Sequence, residues 1–324
     1  MTMHMRFVDL HCDTVGCQVL PSKGEKCLRS NPDGELDLLR MKEAGALLQC
    51  FALFLPPRAK MDEYLGDMDQ WEFFLRSAEC YDAEMAANAD LIRPVLCYAD
   101  IEENRARGLM SAMLTVEDGV PLDGRLARLD EMHRRGVRLI TLTHNMENSL
   151  GLSNYIDPRR GLKPFGIEAV RRMNELGVII DVSHLSDAGF WDVAKHSKKP
   201  FVASHSNARA LCPVVRNLTD DMLRALADAG GVAGLNFASD FLVEGSRHTY
   251  LADIARHARY MADKAGVEAI ALGSDFDGIS SVLEFPACAG MPMLEETLSR
   301  CFTTAEVDKI THENALRVIR DNIG

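Results

Sequence analysis

The chain has 324 residues, 47% of them hydrophobic and 26% charged, which excludes disordered and fibrous classes. A formal charge of −12 without any basic run excludes nucleic acid as a partner, because phosphate binding needs clustered Lys and Arg. Residues 1–6 lack the apolar core of a secretory leader, no run of about 18 apolar residues exists to span a membrane, and nine scattered cysteines suit a reduced, cytoplasmic protein.

Short apolar runs rich in Val, Ile, Leu, Ala and Met alternate with amphipathic stretches along the chain. The runs cover 6–11, 47–55, 111–117, 137–144, 178–184, 201–205, 232–237 and 269–275. Between them, helical periodicity predicts helices over 36–44, 68–89, 122–135, 166–176, 185–196, 219–229 and 251–265. An irregular segment, 56–67, follows the second run. Asp187 and Thr219 are placed to cap helix starts, and Gly45, Gly136, Gly177, Gly230 and Gly266 to end helices. Eight doubly buried strands alternating with helices predict a closed parallel barrel, a single domain over 1–324. A doubly wound open sheet lacks the Gly-rich turn it would need after the first strand.

Six of the eight runs end in a residue that binds metal or protons: His11 with Asp13, Glu117, His144, His184, His205 and Asp275. Parallel barrel strands converge at their C-terminal ends, so these residues are expected in one mouth. His11 and Asp13 lie two apart, on one face of a strand, and can grip one cation. Cys12 between them faces the other way and is expected to be packed and inert. Glu117 can bridge two cations with its two oxygens. His184 and His205 end successive strands as candidate ligands. The set suits a two-metal hydrolytic site with a bridging hydroxide. Its nitrogen and carboxylate donors favour Zn²⁺, and Mn²⁺ or Co²⁺ fit the same donors.

Three further residues read as handlers of protons and charge. Asp275 can relay a proton from water to a leaving amine, with Asp277 as its rival. His144 can donate to the oxygen that becomes negative during attack, or serve as a third ligand. Arg216, in the loop after His205, suits a substrate carboxylate, with Arg209 as its rival. The remaining histidines, His4, His133, His196, His248, His257 and His312, read as background.

The motifs Val8-Asp-Leu-His-Cys-Asp-Thr14, Glu117-Asp-Gly119, Leu142-Thr-His144, Asp181-Val-Ser-His184, Ser204-His-Ser-Asn-Ala208 and Gly273-Ser-Asp-Phe-Asp-Gly278 together resemble the membrane dipeptidase (renal dipeptidase) family, a branch of the amidohydrolase superfamily. The segments 303–307 and 314–318 resemble that family's final helices. The resemblance implies a (β/α)8 TIM barrel with extra C-terminal helices and two zinc ions per chain. It implies that His11, Asp13 and Glu117 hold one zinc, and that Glu117, His184 and His205 hold the other. His144 would polarise the scissile carbonyl, Arg216 would meet substrate and Asp275 would move the proton. The implied substrates are small dipeptides, L-Xaa-D-Xaa among them, and the implied assembly is a homodimer in the cytoplasm, with no membrane partner.

Two departures from the mammalian enzymes bear on the substrate. Phe241 stands where their pocket carries a tyrosine, and the loop over 146–164 differs. Hydrolysis of another small amide, lactam or ester by the same site is the alternative activity, and a non-catalytic ligand-binding barrel is the alternative of another class.

Overall fold

The computed structural model describes residues 7–55 and 68–324. His4, the first residue of the run 6–11 and the irregular segment expected over 56–67 lie outside the described residues.

Eight strands form the barrel: β1 (Phe7–Cys12), β2 (Ala46–Phe54), β3 (Met110–Glu117), β4 (Val137–Thr141), β5 (Ile179–Asp181), β6 (Val202–Ala203), β7 (Val232–Leu235) and β8 (Ile270–Leu272). All neighbours are parallel, and β1 closes the ring by pairing with both β2 and β8. Every residue of β1 and β3 is buried, as a strand covered on both faces requires. The helices α1 (Leu38–Glu43), α2 (Gln70–Ala87), α3 (Tyr98–Ala106), α4 (Leu126–Arg134), α5 (Pro164–Leu176), α6 (Asp187–His196), α7 (Asp220–Asp228) and α8 (Leu251–Ala265) lie between the strands. Three more follow the barrel: α9 (Met291–Leu298), α10 (Thr304–Asp308) and α11 (Asn314–Ile323). Leu316 and Ile319 of α11 share one apolar cluster with Val8, Met113, Ile179 and Val232 from the barrel strands.

All eight predicted strands exist, but five stop short. Strands β4 to β8 leave the ladder two or three residues before the ends of their apolar runs. The backbone turns away there to build the mouth: His184 and Asp275 take φ of 67° and 65°, which no strand residue can hold. Helix α6 is capped by Ser186, not Asp187. The Ser186 hydroxyl accepts from Gly189 N–H, and Asp187 is the first helical residue. Thr219 caps α7 as expected, and all five expected helix-ending glycines have positive φ. Helix α3 was not read in the sequence because its apolar stripe is thin, with Ile101 its one buried hydrophobic residue.

The β1–β8 seam is fastened by a buried carboxylate. Asp9 accepts from Ser274 N–H at 2.8 Å and Ser274 Oγ at 2.6 Å, and from Gln49 Nε2 on β2 at 3.0 Å. Burial pushes this carboxyl upward, against those hydrogen bonds. Cys12 is fully buried, its thiol pushed well up by burial, in keeping with an inert packed residue. No helix among the described residues is long and apolar enough to cross a membrane.

Candidate metal centre and active site

The strand ends bring His11, Asp13, Glu117, His144, His184, His205 and Asp275 to one mouth, as three overlapping groups of candidate donors. The groups are His11 with Glu117 and His205, Glu117 with His144 and His184, and His11 with Asp13 and Asp275. Glu117 divides its oxygens between two sides. Oε1 lies 3.1 Å from His184 Nε2 and 3.6 Å from His205 Nε2, while Oε2 lies 3.7 Å from His11 Nε2.

The hydrogen bonds behind the candidate ligands fix which nitrogens are free to bind. Ser204 Oγ donates to Asp181 Oδ2 at 2.6 Å, so it must accept from His205 Nδ1–H at 2.7 Å. His184 Nδ1–H likewise donates to Asn145 Oδ1 at 2.8 Å. Both Nε2 atoms are then bare lone pairs, and they face each other at 2.9 Å. Burial first, with the Arg216 charge at His184 and the His11 charge at His205, holds both imidazoles well below the usual histidine range. Two neutral acceptors at that separation repel unless a cation lies between them. Ligands bound to one zinc at 2.0–2.1 Å in tetrahedral array stand about 3.3 Å apart, so the spacing fits.

His11 makes the same case on the other side. Its ring nitrogens find no hydrogen-bond partner among the described residues, although the ring is fully buried. Nε2 stands 3.7 Å from Asp13 Oδ2 and 3.9 Å from Asp275 Oδ1, too far for hydrogen bonds and right for atoms sharing an ion. Burial lowers its pKa, but Glu117 and Asp13 outweigh burial and hold it well above the usual range. Burial, followed by the Asp13 charge, pushes Glu117 upward. These orphaned donors and crowded carboxylates fit a divalent metal centre.

The two rival pairs separate by their partners. Asp275 lines the cavity, and its Oδ2 accepts from Asn236 Nδ2 at 2.9 Å. Asp277 faces away, toward Thr14 and Glu35. Arg209 is occupied by Asp187, with bonds of 2.7 and 2.8 Å. Arg216 is 2% exposed and has no carboxylate within 4 Å among the described residues. It donates to Ser206 Oγ and His205 O, both at 3.3 Å, and stacks 5.3 Å from the Phe241 ring centre. Burial lowers its pKa.

The cavity above these groups holds about 680 Å³. Phe54, Phe241 and Ile279 give it apolar walls, and His144 stands at its side, 4.4 Å from His184 by ring centres. Asp181, Ser204, Asn145 and Asn236 orient the candidate groups; the first two open family-like motifs, but none of the four has an assigned role in the sequence reading. Asp181 and Asn236 had a signal, each being a polar residue inside an otherwise apolar run.

Comparison with known proteins gives a consistent picture. Residues 1–323 match the family model described as membrane dipeptidase (peptidase family M19). An uncharacterised dipeptidase of Schizosaccharomyces pombe is 34% identical over 261 residues, which is 75% of this chain and 61% of that one. The crystal structure of a metallopeptidase named dipeptidase AC superposes with a TM-score of 0.90 at 27% identity, covering 99% of each chain. A metallopeptidase from Rhodobacter sphaeroides, solved with a phosphinate mimic of the dipeptide L-Ala-D-Ala, also gives 0.90, at 26% identity over 98% of this chain and 99% of that one.

Proposed function

The chain belongs to the membrane dipeptidase family and is a metal-dependent dipeptidase; from that premise we propose that it cleaves the amide bond of small dipeptides, L-Xaa-D-Xaa among them, at a two-zinc site built on Glu117. The observation that carries the two-metal reading is the division of the Glu117 oxygens, one toward His184 and His205 and one toward His11. His11 and Asp13 complete one site, and His184 and His205 the other. When bound, paired divalent ions lower the pKa of water and so supply a nucleophile at neutral pH.

The chain's own residues do the rest. Arg216, a buried cation with no counter-ion among the described residues, binds the substrate's terminal carboxylate. His144 donates to the carbonyl oxygen as it gains charge. Asp275, held by Asn236, accepts a proton from water and returns it to the departing amine. The apolar walls at Phe54 and Phe241 receive the side chains and exclude water. The R. sphaeroides enzyme with its L-Ala-D-Ala mimic supports the D-configured second residue. The nine free cysteines support a reducing, cytoplasmic setting, and the family resemblance supports a homodimer.

The test is a metal count coupled to a panel of L,L and L,D dipeptides. The expected result is two zinc ions per chain and turnover of L,D members. One ion in a fully active enzyme would overturn the two-metal reading. Turnover of lactams or esters with none of dipeptides would move the substrate class.

A further inference from the structure

Behind the mouth, a pair of carboxylates grips itself through the backbone. Glu35 N–H donates to Asp277 Oδ1 at 2.7 Å, and Asp277 N–H donates to Glu35 Oε2 at 2.6 Å. Thr14 Oγ1 donates to the other Asp277 oxygen at 2.6 Å. The loop that carries Glu35 is itself fixed. Arg40 donates to the carbonyls of Asn31 and Gly34 and to Asp37, and Cys288 N–H donates to Glu35 O at 3.2 Å.

Asp277 is two residues beyond Asp275, and both have φ of 65°. Two left-handed non-glycine residues within three cost on the order of 1 kcal/mol or more each, and persist only where the surroundings enforce them. Phe276 between them is buried, 5.6 Å from Phe237 by ring centres, and its carbonyl accepts from Asp13 N–H at 2.9 Å. Asp275 N–H donates to His11 O at 3.1 Å. The turn runs so close to the candidate ligands that a Cβ on Gly278 would sit 2.1 Å from Asp13 Oδ2 and 2.5 Å from Asp275 Oδ1. A small rotation of this turn therefore re-aims Asp275.

Burial, aided by the Asp277 charge, pushes Glu35 up to about 7 despite its backbone hydrogen bond, so the pair is costly at neutral pH. An amide at position 35 would accept the same hydrogen bond without that cost.

We propose that Glu35, Asp277 and Thr14 form a positioning clamp that holds the left-handed turn and aims the Asp275 carboxylate into the mouth. The clamp rests on the reading of Asp275 as the proton carrier. It touches no substrate; it acts through Asp275.

The experiment compares Asp277→Ala, Glu35→Ala, Glu35→Gln, Thr14→Val and Asp275→Asn by kcat, KM, metal content and Tm on one L,D dipeptide. Misplacement by about 1 Å can cost 100-fold in rate, so Asp277→Ala and Glu35→Ala are expected to lose roughly tenfold or more in kcat with KM and metal content nearly unchanged. Glu35→Gln keeps an acceptor for Asp277 N–H and is expected to restore kcat to within about twofold. Thr14→Val, a single lost hydroxyl, gives a smaller loss in kcat and carries the test if the alanine variants do not fold. A kcat unchanged in folded, metal-loaded clamp variants, while Asp275→Asn is inactive, overturns the clamp alone. So does a fall confined to Tm and metal content. Full turnover in Asp275→Asn overturns the proton-carrier reading and the clamp with it.

Discussion

His184 and His205 turn their Nε2 atoms toward each other at 2.9 Å while the opposite nitrogen of each ring donates to a fixed oxygen, on Asn145 and Ser204. The tautomers are therefore set before any ion arrives, and the pair is repulsive until one does. The same economy holds at His11, a buried ring without a hydrogen-bond partner among the described residues.

Removing the metal should abolish turnover and also loosen the fold. An ion present at 1,000 times its Kd stabilises the native state by about 4 kcal/mol. Chelated protein should melt at a distinctly lower temperature, and added zinc should restore both Tm and activity. Full activity in protein shown by elemental analysis to be metal-free would rule out the metal mechanism.

Replacing Asp275 separates binding from chemistry. Asp275→Asn is isosteric and can keep one oxygen toward Asn236, so metal content should hold. General acid–base catalysis supplies about 10²- to 10⁴-fold, and kcat should fall by that order with KM little changed. A variant that instead loses an ion would make Asp275 a ligand.

Arg216 predicts an unusual pairing of effects. It is buried with no ion pair to lose among the described residues, so Arg216→Met should leave Tm unchanged or raise it. Substrate affinity should suffer nonetheless. Charge-assisted hydrogen bonds contribute about 1.5–3 kcal/mol, so KM should rise roughly 10- to 100-fold. A normal KM in the folded variant would place the substrate carboxylate elsewhere.

His257 gives the fold a pH dependence away from the metal centre. It is fully buried, accepts from Ala208 N–H at Nδ1 and donates from Nε2 to Leu242 O at 2.9 Å. Burial lowers its pKa to about 4. Because the unfolded chain takes up a proton near pH 6.5 and the folded chain does not until about 4, stability is full above 6.5 and falls as pH drops through that window. The full loss is on the order of 3 kcal/mol. His257→Gln can keep both hydrogen bonds without titrating. Urea midpoints of the two chelated proteins should therefore diverge between pH 7 and 4.5, with the wild-type protein losing more. Parallel midpoints would show that His257 is already protonated or exposed.

Strand identity was legible because doubly covered strands need unbroken apolar runs, and residues such as His184 and His205 stood out by ending them. Strand length was not, since a run reads the same whether its last residues stay in the ladder or turn at φ near 65°. Nearness to the strand end favours Asp275 over Asp277 without deciding it, and spacing leaves Arg209 and Arg216 level. Both choices depend on which side chain already has a partner, and Asp187, Thr14 and Glu35 are brought there only by the fold. Glu35 carried no signal at all, lying in a loop between β1 and α1 with no motif around it.

The seam that Asp9 fastens joins residues 265 apart in sequence. At about 5–20 residues per second, synthesis leaves β1 waiting some 13–50 s for Ser274 and Asp275 to emerge. Throughout that interval His11 and Asp13 exist without the strand that completes their surroundings. The mouth is thus complete only once Asp275 has been made and the barrel has closed at the seam between the first and the eighth strand.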